Sequence, residues 1–456
     1  MSQYRSPSLS PPPLKRRRIS QLPPTSDSPT PQTSTTSPLT SPPVNTFRIL
    51  SWNINGIDAF LPARPHNQKA ITTFFPPSKA PDSAPPSHNG SHKTRTQRPS
   101  LRACLLRWGW PHIVCLQEVK IARSDTRTQD LVRRIANRST CSDFLEHGSS
   151  DDEDIDSGEH GREEGGERDS RLEYDTYFSL PLDPHNARGA HGNGRIYGVC
   201  TLVRRDLCPL AESNDDNPSR KPATTTQPVD WDLEGRVLVT VPSTPPPTTT
   251  QSRNPLAVFN IYAVNGSPRP YRDPQTGSLA GDRHAYKRRF HALLADSVRA
   301  YQRRGYSVVV AGDMNISRSA MDSYPALRTG AEHVTNRADF EARFMEKEGG
   351  LGMGDCFRVV RGERRKYTFW PRGREWGTGM DRVDLMLCSG DVVGRDGGEG
   401  DEEGSVPGRR GLGGWRLVDA DILDTSEERG PSDHVPLYID LSCVGTEGFQ
   451  SEERTR

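Results

Sequence analysis

The sequence predicts an α/β protein in which one catalytic domain is interrupted by long polar insertions. Three observations carry this. Short apolar, β-branched runs alternate with a few amphipathic segments. The polar residues with chemical promise stand at the ends of those runs. Between them lie stretches of Pro, Ser, Thr and acidic residues too polar to pack. The composition agrees: only 32% of 456 residues are hydrophobic, with 40 Gly and 39 Pro, so much of the chain lies outside any core.

The elements follow in order. Residues 1–45 are Pro, Ser and Thr and are expected to be a disordered tail. Inside it "PPLKRRRIS" gathers Lys15, Arg16, Arg17 and Arg18 into an accessible basic run of the nuclear-import kind. From Phe47 the texture changes, and "FRILSWNI" reads as a strand leading into a loop. "LRACLLRW" suits a short helix and "HIVCLQ" a buried strand, while "IYGVCTLVRR", "RVLVTV" and "LAVFNIYAV" suit further strands. Tyr286, Phe290, Leu293, Leu294, Val298 and Tyr301 recur at helical spacing, so Arg283 to Arg304 is a helix that Gly305 stops. "YSVVVAGD", "RVDLMLCS" and "VPLYIDLS" complete the strands. Insertions are expected at about 61–100, 146–170, 211–230, 242–254 and 391–412. Without them, and without residues 446–456, one domain spans 46–445. The insertion at 146–170 carries eleven acidic residues against two arginines, so it must face away from any phosphate backbone.

Charge and cysteine usage exclude several classes. The net charge of +1 predicts no gross electrostatic partner, so any basic surface is local. Eight cysteines with no CxxC pair argue against a zinc site or a disulfide framework and fit a reducing compartment. No apolar run suits a membrane span or a signal peptide, and a soluble intracellular monomer is expected.

Asn53 and Asn55 follow the first strand, Glu118 ends "IVCLQE", and Tyr262 and Asn265 end "AVFNIYAVN". Asp313 and Asn315 end "VVVAGDMN", Asp384 lies in "DRVDLML", and Asp433 and His434 precede the last strand. Strand ends of an α/β sheet converge on one rim, the usual place for a site. Hard oxygen donors (Asn55, Glu118, Asp433) suit Mg²⁺, with Mn²⁺ as a substitute. Amide and imidazole donors (Asn265, Asn315, His434) suit phosphate and developing negative charge. Asp313 could orient or deprotonate water. Together these describe metal-assisted phosphodiester hydrolysis.

The blocks "SWNING", "LQEVK", "YAVNG", "GDMN", "YTFW", "DRVD" and "SDHVP" resemble, in order, the signatures of the endonuclease/exonuclease/phosphatase superfamily. The closest match looks like its exonuclease III branch of abasic-site DNA repair endonucleases, over Phe47 to about Ser442. The resemblance implies a four-layer sandwich of two mixed β-sheets flanked by helices. It implies that Glu118, Asn55 and Asp433 hold the metal, and that Asp313 activates water while Asn315 holds both phosphate and Asp313. Tyr262, Asn265 and Asn53 would lie at the phosphate, and His434, oriented by Asp384, would stabilise the transition state. Lys120, Arg283 and Lys287 would contact the DNA backbone, and Phe369, Trp370 and Val383 would wall the pocket. Two departures bear on substrate: Ile196 stands where relatives often have Tyr, and Asp381 where some place a pocket Trp.

The resulting expectation is a nuclear DNA repair nuclease that cuts 5′ to abasic sites and trims blocked 3′ ends, with 3′→5′ exonuclease activity. The rivals are a tyrosyl-DNA phosphodiesterase, an RNA deadenylase, or a non-catalytic nuclear scaffold. "LQEVK" and the YxxN block fit the repair branch better than the first two. The scaffold reading conflicts with a complete catalytic set. One stretch is left over: "QKAITTFF" puts Gln68, Ile71, Phe74 and Phe75 inside a polar insertion. It fits QxxIxxFF, the peptide pattern that docks on the sliding clamp, proliferating cell nuclear antigen, with three apolar prongs on one helical turn.

Overall fold

The computed structural model describes residues 39, 42, 46–61, 100–137, 172–187, 197–207, 224–242, 254–373, 375, 377–394 and 414–443. The basic run at 15–18, the motif at 68–75 and the acidic stretch at 146–170 lie outside the described residues.

In chain order the strands are β1 (Thr46–Asn53), β2 (Ile113–Gln117), β3 (Tyr174–Ser179), β4 (Val199–Arg204), β5 (Thr225–Pro228), β6 (Val237–Val241), β7 (Leu256–Tyr262) and β8 (Pro270–Arg272). They continue with β9 (Leu279–Asp282), β10 (Ser307–Asp313), β11 (Ser323–Tyr324), β12 (Gly354–Asp355), β13 (Met380–Asp381), β14 (Asp384–Cys388), β15 (Trp415–Ile422) and β16 (Leu437–Cys443). The helices are α1 (Leu101–Arg107), α2 (Thr126–Asn137), α3 (Arg283–Arg303), α4 (Ala331–Phe340), α5 (Cys356–Arg361), α6 (Gly390–Val393) and α7 (Ser426–Arg429).

Two six-stranded sheets dominate, in the orders β15-β16-β1-β2-β4-β3 and β12-β14-β10-β7-β6-β5. Each is antiparallel apart from one central parallel pair, β1 with β2 and β7 with β10. A parallel pair needs a crossover. The first contains α1 and the second α3.

Strand alternation explains the layering. Along β1, Ile49 joins the core between the sheets with Cys115, Val258, Val309, Met386 and Ile439. Its neighbours Leu50 and Trp52 join a second core with Leu105 of α1 and Val132 of α2. Along β10, Val309 and Ala311 belong to the central core, while Val308 and Val310 pack with Phe290, Leu294 and Val298 of α3. The order is helix, sheet, sheet, helix: the four-layer sandwich.

A few buried polar side chains cross between the sheets and are paired, as burial demands. Gln117 Nε2 donates to Asn260 Oδ1 at 2.8 Å, and Asn260 Nδ2 donates to Thr201 Oγ1 at 3.1 Å. Two insertion boundaries need correction. The stretch 211–230 ends in β5, an edge strand paired with β6, whose sequence TTQP has no apolar period to betray it. The stretch at 391–412 starts inside α6.

Candidate active site

The chemistry stands where the two parallel pairs end. β1 and β10 finish in the same turn: Asn55 N donates to Asn53 Oδ1 at 3.0 Å, and Asn315 N donates to Asp313 Oδ1 at 2.8 Å. Each turn holds its last residue, Asn55 or Asn315, in the left-handed region, at φ 51° in both cases, which Asn tolerates better than most residues. Glu118 and Lys120 share that region at φ 56°. Such backbone persists only where its surroundings over-determine it, and it gathers at working sites. The two turns meet, because Asn53 Nδ2 donates to Asp313 Oδ2 at 3.0 Å.

One cluster is closed. His434 Nδ1 lies 2.7 Å from Asp384 Oδ2. Burial alone lowers the His434 pKa, but Asp384, Asp313 and Asp433 outweigh it and raise it to about 10. The imidazole is therefore a cation at neutral pH, with Nδ1–H donating to Asp384 and Nε2 left for the pocket it lines. Burial, and then the Asp384 charge, push Asp313 up to about 7. The frame is held by groups the sequence did not advertise. Thr368 Oγ1 accepts from Val383 N at 3.1 Å and Asp384 N at 3.0 Å. Ser432 Oγ donates to Asn53 O at 2.6 Å and accepts from His434 N at 3.0 Å.

The other cluster is open. Asn55 Nδ2 donates to Asp433 Oδ1. Lys120 Nζ donates to Asn55 Oδ1 and lies 3.2 Å from Glu118 Oε1. An ammonium already sits among these oxygens, so the donor set of Asn55, Glu118 and Asp433 fits a hard divalent cation. Asp313, Asp384 and His434 also bring ligand atoms within 4.8 Å of one another. That trio carries its own cation in the imidazolium, which offers no free lone pair, so the open cluster is the better metal site.

Tyr262 ends β7 with Arg236 stacked behind it. The guanidinium lies 4.8 Å from the Tyr262 ring centre and 3.8 Å from that of Tyr197, and Nη1 donates to Tyr262 O at 2.9 Å. Burial, and then Glu118, keep the Tyr262 hydroxyl protonated and therefore a donor. The rim opens into a cavity of about 330 Å³ that Asn53, Asn55, Glu118, Tyr262, Asn265, Asp313, Asn315, Phe369, Asp433 and His434 all line.

Three expected DNA or pocket residues are placed otherwise. Arg283 is buried, with Nη2 2.8 Å from Glu234 Oε2, a partner 49 residues away in sequence. Lys287 is buried too: its Nζ donates to Val264 O at 2.6 Å, Met314 O at 2.9 Å and Asn315 O at 3.2 Å. One turn apart on α3, both brace loops at the rim; Arg283 is turned to Glu234, while Lys287 also lines the cavity with its ammonium spent on the three carbonyls. Trp370 belongs to the central core, while Phe369 keeps the pocket place, its ring centre 4.9 Å from that of His434. Sequence reasoning also missed Glu234 and Arg236, whose only signal is Glu-Gly-Arg directly ahead of β6.

Two mixed sheets meet at an acidic, oxygen-rich rim beside a charged histidine, an arrangement chemically suited to phosphoester hydrolysis. The chain belongs to the Endonuclease/Exonuclease/phosphatase family, whose model matches residues 50–434. No curated protein sequence matches it. Among solved structures, the chain is similar to the catalytic domain of Xenopus laevis APE2 at 19% identity, covering 88% of this chain and 94% of that one, with a TM-score of 0.45. A 3′-5′ exonuclease, NExo, from Neisseria meningitidis is similar at 16% identity over 86% and 98%, with a TM-score of 0.43. The AP endonuclease LMAP from Leishmania major is similar at 16% identity over 88% and 89%, with a TM-score of 0.47. None of these likenesses is close enough to carry a function.

Proposed function

We propose that the chain is a Mg²⁺-dependent DNA nuclease of the exonuclease III-like branch, cutting 5′ to abasic sites and removing groups that block 3′ ends. The observation that carries this is the sharing of one pocket by a charged His434, an Asp313 with a pKa near 7, and the oxygen donors Asn55, Glu118 and Asp433. Those donors would hold the metal, which when bound supplies Lewis-acid polarisation of a phosphoryl oxygen. Asp313 takes the proton of the attacking water, a role its pKa near neutrality suits. Water oxygen bonds to phosphorus, the bond to the 3′ oxygen breaks, and that oxygen leaves as the 3′ hydroxyl by taking a proton from solvent, to which Asp313 later returns the one it took. The His434 imidazolium, Tyr262 hydroxyl and Asn265 amide face the charge that builds on the phosphoryl oxygens, while Asn315 Nδ2 donates to Ala263 O at 3.0 Å and Asp313 Oδ2 at 3.2 Å and so holds the base in place. The branch rests on "LQEVK" and the YxxN block. Purified protein with Mg²⁺ should prefer duplexes bearing an abasic analogue or a 3′ phosphoglycolate. Faster turnover of a 5′ phosphotyrosine end or of poly(A) would assign it to a rival branch.

Nuclear import through Lys15 to Arg18 and docking on the sliding clamp through Gln68, Ile71, Phe74 and Phe75 belong to the same proposal. Tethering to the clamp raises the local concentration of a repair enzyme at DNA ends. A peptide spanning residues 66–79 should bind the clamp at micromolar affinity, and Phe74→Ala with Phe75→Ala should remove that binding while nuclease activity on naked DNA persists.

A further inference from the structure

A basic wall shares the pocket with the acidic rim. Leu327, Arg328, His333, Asn336 and Arg337, from α4 and the loop before it, line the same cavity. Their charge is poorly compensated. Arg337 donates to the Arg328 carbonyl at 2.8 Å, and among the described residues no carboxylate pairs with its guanidinium. The Arg328 side chain is 59% exposed, and its carboxylate neighbour, Asp381, stands 3.8 Å away, outside hydrogen-bond reach. Asp381 is itself occupied, accepting from Ser323 Oγ at 2.6 Å and Ser317 Oγ at 3.2 Å. Burial, and then the neighbouring Arg328 and Arg337 among other basic groups, hold the His333 pKa below its ordinary value.

The rim already brings Asn265, Tyr262 and an imidazolium to the phosphate that is cleaved, which leaves the charge of this wall unused. Guanidinium groups match phosphate and carboxylate oxygens two at a time, and a concave site strengthens the attraction. We propose that Arg328 and Arg337 form a second anion subsite, which takes a negative group one linkage beyond the scissile phosphate. The group is either the terminal anion of a blocked 3′ end or the next internucleotide phosphate of a continuous strand. Asp381 is the resting partner of Arg328, and the incoming anion takes its place. This rests on the nuclease reading and gives that reading a selectivity: substrates that carry the extra charge are preferred to neutral ones.

Two substrate pairs test it with full-length protein and Mg²⁺. The first compares a 3′ phosphoglycolate with a 3′ phosphate ester of ethylene glycol, which lacks the carboxylate. The second compares an abasic analogue followed by a normal phosphodiester with the same analogue followed by a neutral methylphosphonate. In at least one pair the charged member should have a kcat/KM about tenfold higher, the scale of one charge-assisted contact. The pair that responds identifies the source of the anion. Arg328→Ala with Arg337→Ala should bring the ratio close to one, and the corresponding double Lys variant should restore part of it. Cleavage with no preference in either pair, or with a preference that the double Ala variant retains, overturns the subsite. A protein that cleaves none of the four substrates overturns the nuclease reading, and the subsite with it.

Discussion

The β1–β2 and β10–β7 pairs are the same device used twice. Each couples a parallel pair to a neighbouring antiparallel strand, β16 beside β1 and β14 beside β10. Each ends one strand, β1 in the first pair and β10 in the second, in a side-chain turn with an Asn at φ 51°. Even the pairing register agrees, with Asn53 opposite Gln117 and Asp313 opposite Tyr262. The difference is one atom type. The first frame places an amide where the second places a carboxylate, and the amide donates to it. The scaffold therefore supplies position, and under the proposed mechanism the Asn-to-Asp difference decides which frame takes the proton.

That comparison can be tested by four substitutions and one acid titration. Glu118→Gln disarms the open cluster. Removing the principal anionic ligand costs several kcal/mol of transition-state stabilisation, so turnover at saturating Mg²⁺ should fall on the order of 10³–10⁴-fold. Its partly exposed pair with Lys120 contributes little to stability, so the melting temperature should hardly move. A variant keeping a tenth of the activity would reject the assignment. Asp313→Asn gives the second frame the residue of the first, and His434→Asn removes the imidazolium. Each should cost roughly 10²–10³ in kcat with DNA binding nearly intact. The two should differ in stability: His434→Asn strands the buried Asp384 carboxylate, a loss of about 3 kcal/mol measurable by denaturant unfolding.

Asn53→Asp makes the first frame copy the second. Two carboxylates in contact cannot both ionise easily, so the pH at which activity rises, set near 7 by Asp313, should move upward and the rate at pH 7 should drop about tenfold. An unchanged pH profile would separate Asp313 from the rate-limiting proton transfer. The last test concerns acid. Burial holds His112 in the first half down to about 3 and His291 in the second down to about 4. Both are neutral when folded and charged when unfolded below about 6.5. Their stabilisation is complete well above that pH and is lost as pH falls toward the folded values, by roughly 2 kcal/mol per histidine between pH 6.5 and 5. Denaturant midpoints across that window would show it.

The rim was legible because strand ends carry their chemistry locally: "SWNIN" and "AGDMN" read alike, and the structure gives them the same turn. What was hidden depends on long-range partners. Arg283 and Lys287 look like a basic helical face until Glu234 and three rim carbonyls claim them. The wall formed by Arg328 and Arg337 escaped notice because α4, AEHVTNRADF, has too few apolar residues to announce a helix. Trp370 was read as pocket because nothing in "YTFW" says which aromatic faces inward. In the structure its neighbour Phe369 bridges to His434 and takes that place.

β1 is the first described strand, and its antiparallel neighbour is the last: Thr46 pairs with Ser442. The same junction carries the hydrogen bonds from Trp52 Nε1 to His434 O and from Ser432 Oγ to Asn53 O, and the link from Asn55 to Asp433. During synthesis, β1 must wait for nearly the entire domain before its partner leaves the ribosome, and pairing over such a separation is slow. The histidine and a metal-side carboxylate arrive together with that final partner. An incomplete chain thus has no assembled centre, which is complete only once translation of the domain is finished.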